Sequence, residues 1–328
     1  MKPKKLISIL VPNGAASLSC IEGSAKAFEV ANMFLQQTGQ EPLFEVQMVG
    51  LTEQTMTYDK FFKVCPNYSI ANALQSNLII VPAVNGDWDD VITANKAFLP
   101  WIVEQYNAGA EVASLCVGAF LLASTGLADG KRVSTHWLGE GDFRKRFPNV
   151  DLVADKVITD ERGLYSSGGA ISFWNLLLYI ISKYTDRSLA IQIAKYFEIE
   201  IDRFSQASFI MFRGQKEHED EPVKKAQEFI EQNFQNKLTV EQLADMFSIG
   251  RRSLERRFKK ATNNTVVEYI QRVKIEAAKK SFETSSKNVN EVMYDVGYSD
   301  TKAFRTTFKK ISGLSPIEYR NKYNSRAV

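Results

Sequence analysis

The sequence has few of the residues that form disulfides or bind metals. It contains three cysteines and two histidines among 328 residues. The cysteines, Cys20, Cys65 and Cys116, are widely separated along the chain, and an odd, scattered set suits a reducing compartment rather than a disulfide framework. Only His136 and His218 could join them as metal ligands, so we expect no metal site and no cofactor.

Long apolar runs are missing as well. The apolar stretch from Ile171 to Ile181 is interrupted by Asn175 and falls short of the roughly 18 residues that a membrane helix needs. In the basic start, MKPKKLISILVPNG, the apolar run Leu6 to Val11 is too short for a signal-peptide core. We therefore expect a cytoplasmic protein with no membrane partner, in which this run forms the first strand.

The charge is unevenly distributed. Residues 1–222 contain 20 Lys/Arg and 26 Asp/Glu, a net charge of −6, and residues 223–328 contain 21 and 12, a net charge of +9. A basic region of about a hundred residues indicates a polyanionic partner, most often nucleic acid. An ordinary lysine-rich surface has the same charge, so the net charge alone does not decide between these alternatives.

A charged segment without apolar periodicity, residues 213–222, divides the chain. It predicts a linker between a first domain, 1–212, and a second domain, 223–328. In the first domain short β-branched runs alternate with amphipathic helices, and two apolar runs around Val157 and Leu164 read as a hairpin. This alternation predicts an α/β domain with a mostly parallel sheet.

The second domain reads as all-α, with an internal repeat. Capping-box sequences at Thr239–Gln242 and Thr265–Glu268 predict two helix starts. The segment from Val240 to Tyr269 matches the segment from Val289 to Tyr319 at an offset of 49 to 50 residues. Each copy has a short helix, a turn with glycine and a second helix, which is the plan of a helix-turn-helix motif.

The second helix of each motif has a polar face opposite its buried face. Such a face enters the major groove of DNA, where arginine pairs with guanine and lysines near the helix ends meet phosphates. A solvated charged face is the alternative for a single helix, but the duplicated motif and the basic charge favour DNA. The candidate DNA-binding residues are Arg251, Arg252, Glu255, Arg256, Lys259, Thr301, Lys302, Arg305, Thr306 and Lys309.

One cysteine stands where a strand pattern changes to a helix pattern. In the stretch SLCVGAF, Cys116 follows the apolar run Glu111 to Leu115. A strand-to-helix turn presents such a side chain at the carboxyl end of the sheet, where a helix start lowers the pKa of a thiol. The alternative is a small buried hydrophobe, since free cysteine is often fully buried.

The helical domain resembles a known family. Residues 238–323 resemble the DNA-binding domain of AraC/XylS transcription regulators, and the run GYSDTKAFRTTFKKISGLSPIEYR, from Gly297 to Arg320, carries the likeness. The resemblance implies sequence-specific binding of promoter or operator DNA and contact with RNA polymerase, most often as an activator. Thr306 departs from the pattern, because many members have an arginine there.

The first domain resembles the PfpI-like branch of the class I glutamine amidotransferase-like superfamily, on the sequences CVGA from Cys116 and STHW from Ser134. The resemblance implies a flavodoxin-like fold with Cys116 as nucleophile and His136 beside it. The acidic position that polarises the thiol falls on Cys20, however, and of the oxyanion-hole glycines only Gly86 is kept.

The two domains in this order resemble GlxA-type regulators. The resemblance implies a dimeric regulator whose first domain senses a small, possibly nitrogenous, metabolite. Because the acid and one glycine of the enzyme site are missing, we expect this domain to be non-catalytic. The expected effector pocket lies at the carboxyl ends of the strands, around Asn13, Gly86, Cys116, Val117 and His136. Two alternatives are a thiol-dependent hydrolase, amidase or glyoxalase-like enzyme fused to a DNA-binding domain, and redox sensing by Cys116.

Overall fold

The computed structural model describes residues 3–58, 62–201, 203–216 and 218–324. The chain divides into two compact units, Met1–Gln206 and Ala207–Val328. The predicted linker residues Lys216 and Asp220 pair with Glu231 and Arg257, both within the second unit.

The first unit is an α/β domain. Its strands are β1 (Lys5–Val11), β2 (Ala15–Ala16), β3 (Phe44–Gly50), β4 (Met56–Tyr58), β5 (Phe62–Val64), β6 (Tyr68–Ser69), β7 (Leu78–Val81), β8 (Val84–Asn85), β9 (Glu111–Ser114), β10 (Arg132–Val133), β11 (Asp151–Leu152), β12 (Ile158–Glu161) and β13 (Leu164–Ser167). Its α-helices are α1 (Leu18–Gln37), α2 (Trp88–Ala94), α3 (Phe98–Asn107), α4 (Ala119–Ser124), α5 (Glu140–Arg146), α6 (Ser172–Tyr184) and α7 (Arg187–Tyr196). Short 3-10 helices cover Cys116–Gly118 (η1) and Trp137–Gly139 (η2).

The main sheet has seven strands in the order β12-β13-β9-β7-β1-β3-β6. Neighbouring strands are parallel except for the antiparallel pair β12 and β13. The central strand β7 is apolar and buried throughout, as expected of a parallel strand in a sheet covered on both faces. The predicted mostly parallel α/β sheet is confirmed.

The starts of two helices bear on the site. Helix α1 begins at Leu18, so that Cys20 lies in its first turn. A separate helix, α2, precedes α3, because the side chain of Asp87 accepts the N–H groups of Asp89 and Asp90 and caps its start.

The second unit is helical. After a 3-10 turn, η3 (Ala207–Phe209), it contains α8 (Glu221–Gln232), α9 (Val240–Met246), α10 (Arg251–Thr262), α11 (Val266–Thr284), α12 (Val289–Asp295), α13 (Thr301–Ser312) and α14 (Pro316–Tyr323). Both predicted capping boxes are present, at Thr239 and Thr265. Two more begin α12 and α14, at Asn288 and Ser315.

Two helix-turn-helix motifs, α9–α10 and α12–α13, lie on either side of α11. The first motif packs in a hydrophobic cluster with α8 and the first half of α11. The second packs in a separate cluster with the other half of α11 and with α14. Helix α11 has 19 residues, or roughly 28 Å at 1.5 Å per residue. Because its two halves pack in the two clusters, it supports both motifs.

Candidate functional site

The first candidate recognition helix, α10, has one buried and one exposed face. Leu254 and Phe258 are fully buried, whereas Arg252 and Arg256 are exposed. Among the ion pairs of the described residues, none involves Arg252 or Arg256. Their guanidinium groups are therefore available to an outside partner.

Other charged residues of α10 are engaged within the unit. The Arg251 guanidinium donates to the carboxylate of Glu241 on α9 and, at 3.4 Å, to Glu255 one turn further along α10. Lys259 donates through Nζ to the carbonyl oxygen of Asn263, at the end of the helix. Arg251 and Glu255 must give up these ion pairs before they can bind bases.

The second candidate recognition helix, α13, repeats this construction. Phe304 and Phe308 are fully buried. The predicted contact residues of this helix are all exposed; they are Thr301, Lys302, Arg305, Thr306 and Lys309. Both recognition helices end in a left-handed residue, Asn263 in α10 and Gly313 in α13.

Two contacts that hold the recognition helices in place have no signature in the sequence. Asp220 caps α8 and also accepts two hydrogen bonds from Arg257 on α10, at 2.8 and 2.6 Å. The hydrogen bonds from Arg257 lower the pKa of the Asp220 carboxyl. Lys274, buried on α11, donates through Nζ to carbonyl oxygens of Asn236, before the first motif, and of Gly297, in the turn of the second.

In the first unit, Cys116 lies at a strained turn. Only Leu115 separates it from β9. Its φ is positive, at 56°, which is unusual for a residue other than glycine. Gly118 lies so close to the end of β7 that a Cβ there would be 2.4 Å from the carbonyl oxygen of Val81. The turn is therefore the strand-to-helix elbow that the sequence predicts.

The thiol of Cys116 is buried, with 8% of the residue exposed. Burial raises its pKa to about 11, against the lowering effect of N–H groups from Ala170 and Val117. Cys20, whose own pKa is raised by burial, adds to the increase.

His136 accepts a hydrogen bond from its own turn. Its Nδ1 accepts the N–H of Leu138 at 3.1 Å, and burial lowers the pKa of the imidazole. Gly169 lies against the ring, since a Cβ there would be 2.5 Å from Cδ2 of His136. The loop Gly168–Ala170 therefore contacts both His136 and, through its last N–H, Cys116.

The remaining predicted pocket residues are distributed around the elbow. Val117 is buried beside Gly139, and Gly86 follows β8, the strand that packs against η1. Asn13 instead contacts α2, because its side-chain amide donates a hydrogen bond to the carbonyl oxygen of Ala94 at the end of that helix. Its amide is thus already used to fix α2.

Cys20 occupies the position at which the resemblance requires an acid. It is buried in α1, and Ser17 and Ala83 hydrogen-bond to its thiol. The nearby carboxylate of Glu22 is exposed on the same helix. The described residues around the elbow thus provide a thiol instead of a carboxylate to face Cys116.

An open groove of about 530 Å³ lies elsewhere on the first unit, lined by Leu99, Pro100, Val103, Glu104, Asn107, Ser124 and Thr125. It runs beside α3 and the end of α4 and includes none of the predicted pocket residues. Over the described part of the chain, no group of three or more His, Cys, Asp or Glu side chains could hold a metal ion, and no helix is both long and apolar enough to cross a membrane.

Comparison with known proteins gives a match in each unit. The family model of the DJ-1/PfpI family matches residues 23–183, and that of a helix-turn-helix domain matches residues 243–322. The transcriptional regulator GbdR of Pseudomonas aeruginosa is 24% identical over 307 residues, which cover 90% of this chain and 80% of GbdR. The regulator ArgR of the same organism is 26% identical over 216 residues, 66% of this chain and 65% of ArgR, slightly less than two thirds of its length.

Solved structures support the fold of the first unit. An AraC family transcriptional regulator from Pseudomonas putida superposes on 60% of this chain, over its own full length, with a TM-score of 0.51 and 16% identity. A ThiJ/PfpI family protein from Pseudomonas syringae covers 75% of this chain and 90% of its own, with a TM-score of 0.51 and 15% identity.

The chain therefore belongs to the class of proteins that join an N-terminal DJ-1/PfpI domain to a C-terminal helix-turn-helix domain. Within that class it is an HTH-type transcriptional regulator of the AraC kind, related to GbdR and ArgR, and its helical unit is a DNA-binding domain. Both resemblances inferred from the sequence are confirmed.

Proposed function

We propose that the protein is a cytoplasmic, homodimeric regulator that binds promoter DNA through α10 and α13 and binds a small effector at the Cys116 elbow. The duplicated pair of recognition helices supports the DNA part of the proposal. Each helix exposes an arginine, Arg252 or Arg305, without an ion pair among the described residues. Arginine at such a position pairs bidentately with guanine in the major groove.

The ten predicted contact residues take different roles in this proposal. Arg252, Arg256 and Arg305 read bases, with Thr301, Lys302 and Thr306 beside them. Lys259 and Lys309, near the helix ends, meet phosphates. Arg251 and Glu255 support the first motif through their ion pairs.

The DNA-binding proposal is tested on duplexes that the full chain selects from a random-sequence library. Loss of a bidentate base contact costs about 1–3 kcal/mol, or roughly five- to 150-fold in Kd. Arg252→Ala and Arg305→Ala should each weaken binding by this factor at fixed salt. Arg187→Ala, which removes an exposed arginine from α7 of the first unit, is the matched control and should leave Kd unchanged. Unchanged binding by both recognition-helix variants would show that the assigned readers are wrong.

The first domain is proposed to sense rather than to catalyse. Cys116 has a pKa raised to about 11 by burial, His136 accepts a hydrogen bond from its own turn, and a thiol stands in the position of the acid. A catalytic thiol instead has a lowered pKa and an orienting third group. The proposed effector site is bounded by Cys116, Val117, His136 and the Gly168–Ala170 loop, with Gly86 and Asn13 on the neighbouring turns.

Effector sensing is tested by a thermal-shift screen of the full chain against a library of nitrogenous metabolites. A ligand that binds only the folded state raises the melting temperature. Cys116→Ser should keep most of the shift produced by a true effector, because the serine preserves the shape of the site. Turnover of a metabolite that disappears in Cys116→Ser would contradict the sensor proposal and support a thiol enzyme.

Regulation is proposed to be activation through contact with RNA polymerase. In vitro transcription from a promoter that carries the selected duplex should rise when the protein and its effector are added together. A fall in transcript would contradict activation while leaving DNA binding and effector sensing standing.

A further inference from the structure

A buried glutamine ends the first unit. Gln206 is 1% exposed, and its side-chain amide is fully engaged with backbone groups. Its Oε1 accepts the N–H of Gly169 at 2.9 Å. Its Nε2 donates to the carbonyl oxygens of Thr135 at 2.9 Å and Ala154 at 2.7 Å, with Lys156 at 3.2 Å.

The segments that Gln206 joins are those beside the proposed effector site. Thr135 donates through its hydroxyl to the carbonyl oxygen of Cys116 at 3.1 Å and precedes His136 in the chain. Gly169 lies against the His136 ring, and the N–H of Ala170 hydrogen-bonds to the Cys116 thiol. A ligand that displaces either segment must therefore change the hydrogen bonds of Gln206.

The backbone around Gln206 is also fixed in the first unit. The Gln206 N–H donates to the carbonyl oxygen of Asp155 at 2.8 Å, and Ser205 forms a bridge with Lys156. Gly168 leaves space for the amide, because a Cβ there would be 2.7 Å from Nε2 of Gln206.

The chain is fixed again a few residues later, in the DNA-binding unit. The carbonyl oxygen of Ile210 accepts a hydrogen bond from Nζ of Lys279, a buried lysine of α11. The N–H of Phe212 donates to Glu276 on the same helix at 3.1 Å, and Glu276 pairs with Lys279 at 2.9 Å. The turn between, η3, packs against the second recognition helix, α13.

We propose that Gln206 is a positioning residue that couples the effector site to the second recognition helix. The inference rests on the proposed function and adds how the two sites communicate. Only the three residues of η3 separate Gln206 from the Ile210 anchor, and each residue spans at most about 3.6 Å. A displacement of Gln206 is therefore passed to η3 and α13 instead of being absorbed by a flexible linker.

Coupling of this kind is reciprocal, so DNA binding must also alter the effector site. This consequence can be measured without knowing the effector. Hydrogen–deuterium exchange of the full chain, with and without the selected duplex, should change in peptides covering residues 133–139 and 164–173. In Gln206→Ala the DNA-induced change should fall at least threefold.

The matched control is Gln105→Ala. Gln105 is another buried glutamine of the first unit, and its Oε1 accepts the N–H of Ser76 at 2.9 Å. Among the described residues, no hydrogen bond joins its side chain to the Cys116 elbow or to η3, so the variant should retain the DNA-induced change. A second variant inserts six Gly/Ser residues between Gln206 and Ala207. The insertion keeps the contacts of Gln206 and of Ile210 but lengthens the chain between them, so the DNA-induced change in exchange should be lost.

The outcomes separate this inference from the function on which it rests. If the wild-type chain selects no duplex, the proposed function fails. If it binds DNA but the effector-site peptides do not respond, or respond equally in the wild type, Gln206→Ala and the insertion variant, the coupling role of Gln206 is overturned and DNA binding stands.

Discussion

The buried thiol at the elbow gives a quantitative prediction for its chemical reactivity. The pKa of Cys116 rises from the ordinary 9.0 to about 11 because of burial. The thiolate is the form that attacks an alkylating agent, so at neutral pH an increase of two units in the thiol pKa lowers the reactive fraction about 100-fold. The thiol is also only 8% exposed, which slows the reaction further.

The assay compares cysteines within one chain. Native protein is treated with iodoacetamide at pH 7.5, and the labelled fraction of each cysteine is followed by peptide mass spectrometry. Cys65, which is exposed, serves as the internal reference. We expect Cys116 to react at least about tenfold more slowly, because the greater nucleophilicity of a high-pKa thiolate offsets part of the loss in thiolate fraction. The rate for Cys116 should rise with pH toward 11, and in guanidinium chloride the three cysteines should react alike.

A Cys116 that reacts as fast as Cys65, or faster, would refute this reasoning. It would mean that the thiolate is stabilised at neutral pH, as in an enzyme nucleophile or a redox sensor. The argument for a sensing site in place of a reaction centre would then fail.

Three further predictions concern DNA binding and stability. Arg251→Ala should weaken binding to the selected duplex less than Arg252→Ala in fluorescence anisotropy, because Arg251 already pairs with two carboxylates; a larger loss for Arg251→Ala would contradict this. Gly118→Ala should lower the free energy of unfolding by about 1–3 kcal/mol through overpacking against the end of β7. Gly141→Ala, in α5 with open space around its Cα, is the control and should be neutral or stabilising in the same urea titration. Phe308→Ala should cost about 3–5 kcal/mol, because the fully buried ring leaves a cavity among aromatic side chains; a loss below about 1 kcal/mol in urea unfolding would contradict this packing.

The helical unit is largely readable from the sequence because its signals are local. Apolar spacing and the capping boxes at Thr239 and Thr265 indicate the helices to within a few residues, and an internal repeat marks the two motifs. The same pattern is present at Asn288–Glu291 and Ser315–Glu318, where it caps two further helices. The spacing and capping signals involve residues three or four apart, and the repeat is found by comparing the sequence with itself, so no tertiary information is needed.

The elbow could be predicted, but not the residues that complete it. Cys116 stands at a change of periodicity, whereas Gly168 to Ala170 reach it only because β13 pairs in parallel with β9 and so ends at the same edge of the sheet. Gln206 lies in an irregular segment and bonds to backbone groups 37 to 71 residues away. Such contacts have no sequence period, because the backbone offers the same groups at every residue.

Which arginines of α10 form ion pairs could be determined only from the structure. Arg251, Arg252, Arg256 and Arg257 are alike in the sequence, yet Arg251 pairs with Glu241 and Arg257 binds Asp220. Helical periodicity separates the buried from the exposed face, but it does not reveal which arginine finds a carboxylate on a neighbouring helix. Arg252 and Arg256 are thereby distinguished as the arginines of α10 that form no ion pair among the described residues.

The central claim is that a small molecule at the elbow controls DNA binding by the helical unit. It is tested most directly by anisotropy titration of the full chain on the selected duplex, with and without the metabolite that gives the largest thermal shift. Coupling free energies of about 1–3 kcal/mol predict a five- to 150-fold change in Kd. An identical Kd at a metabolite concentration that saturates the protein would contradict the account.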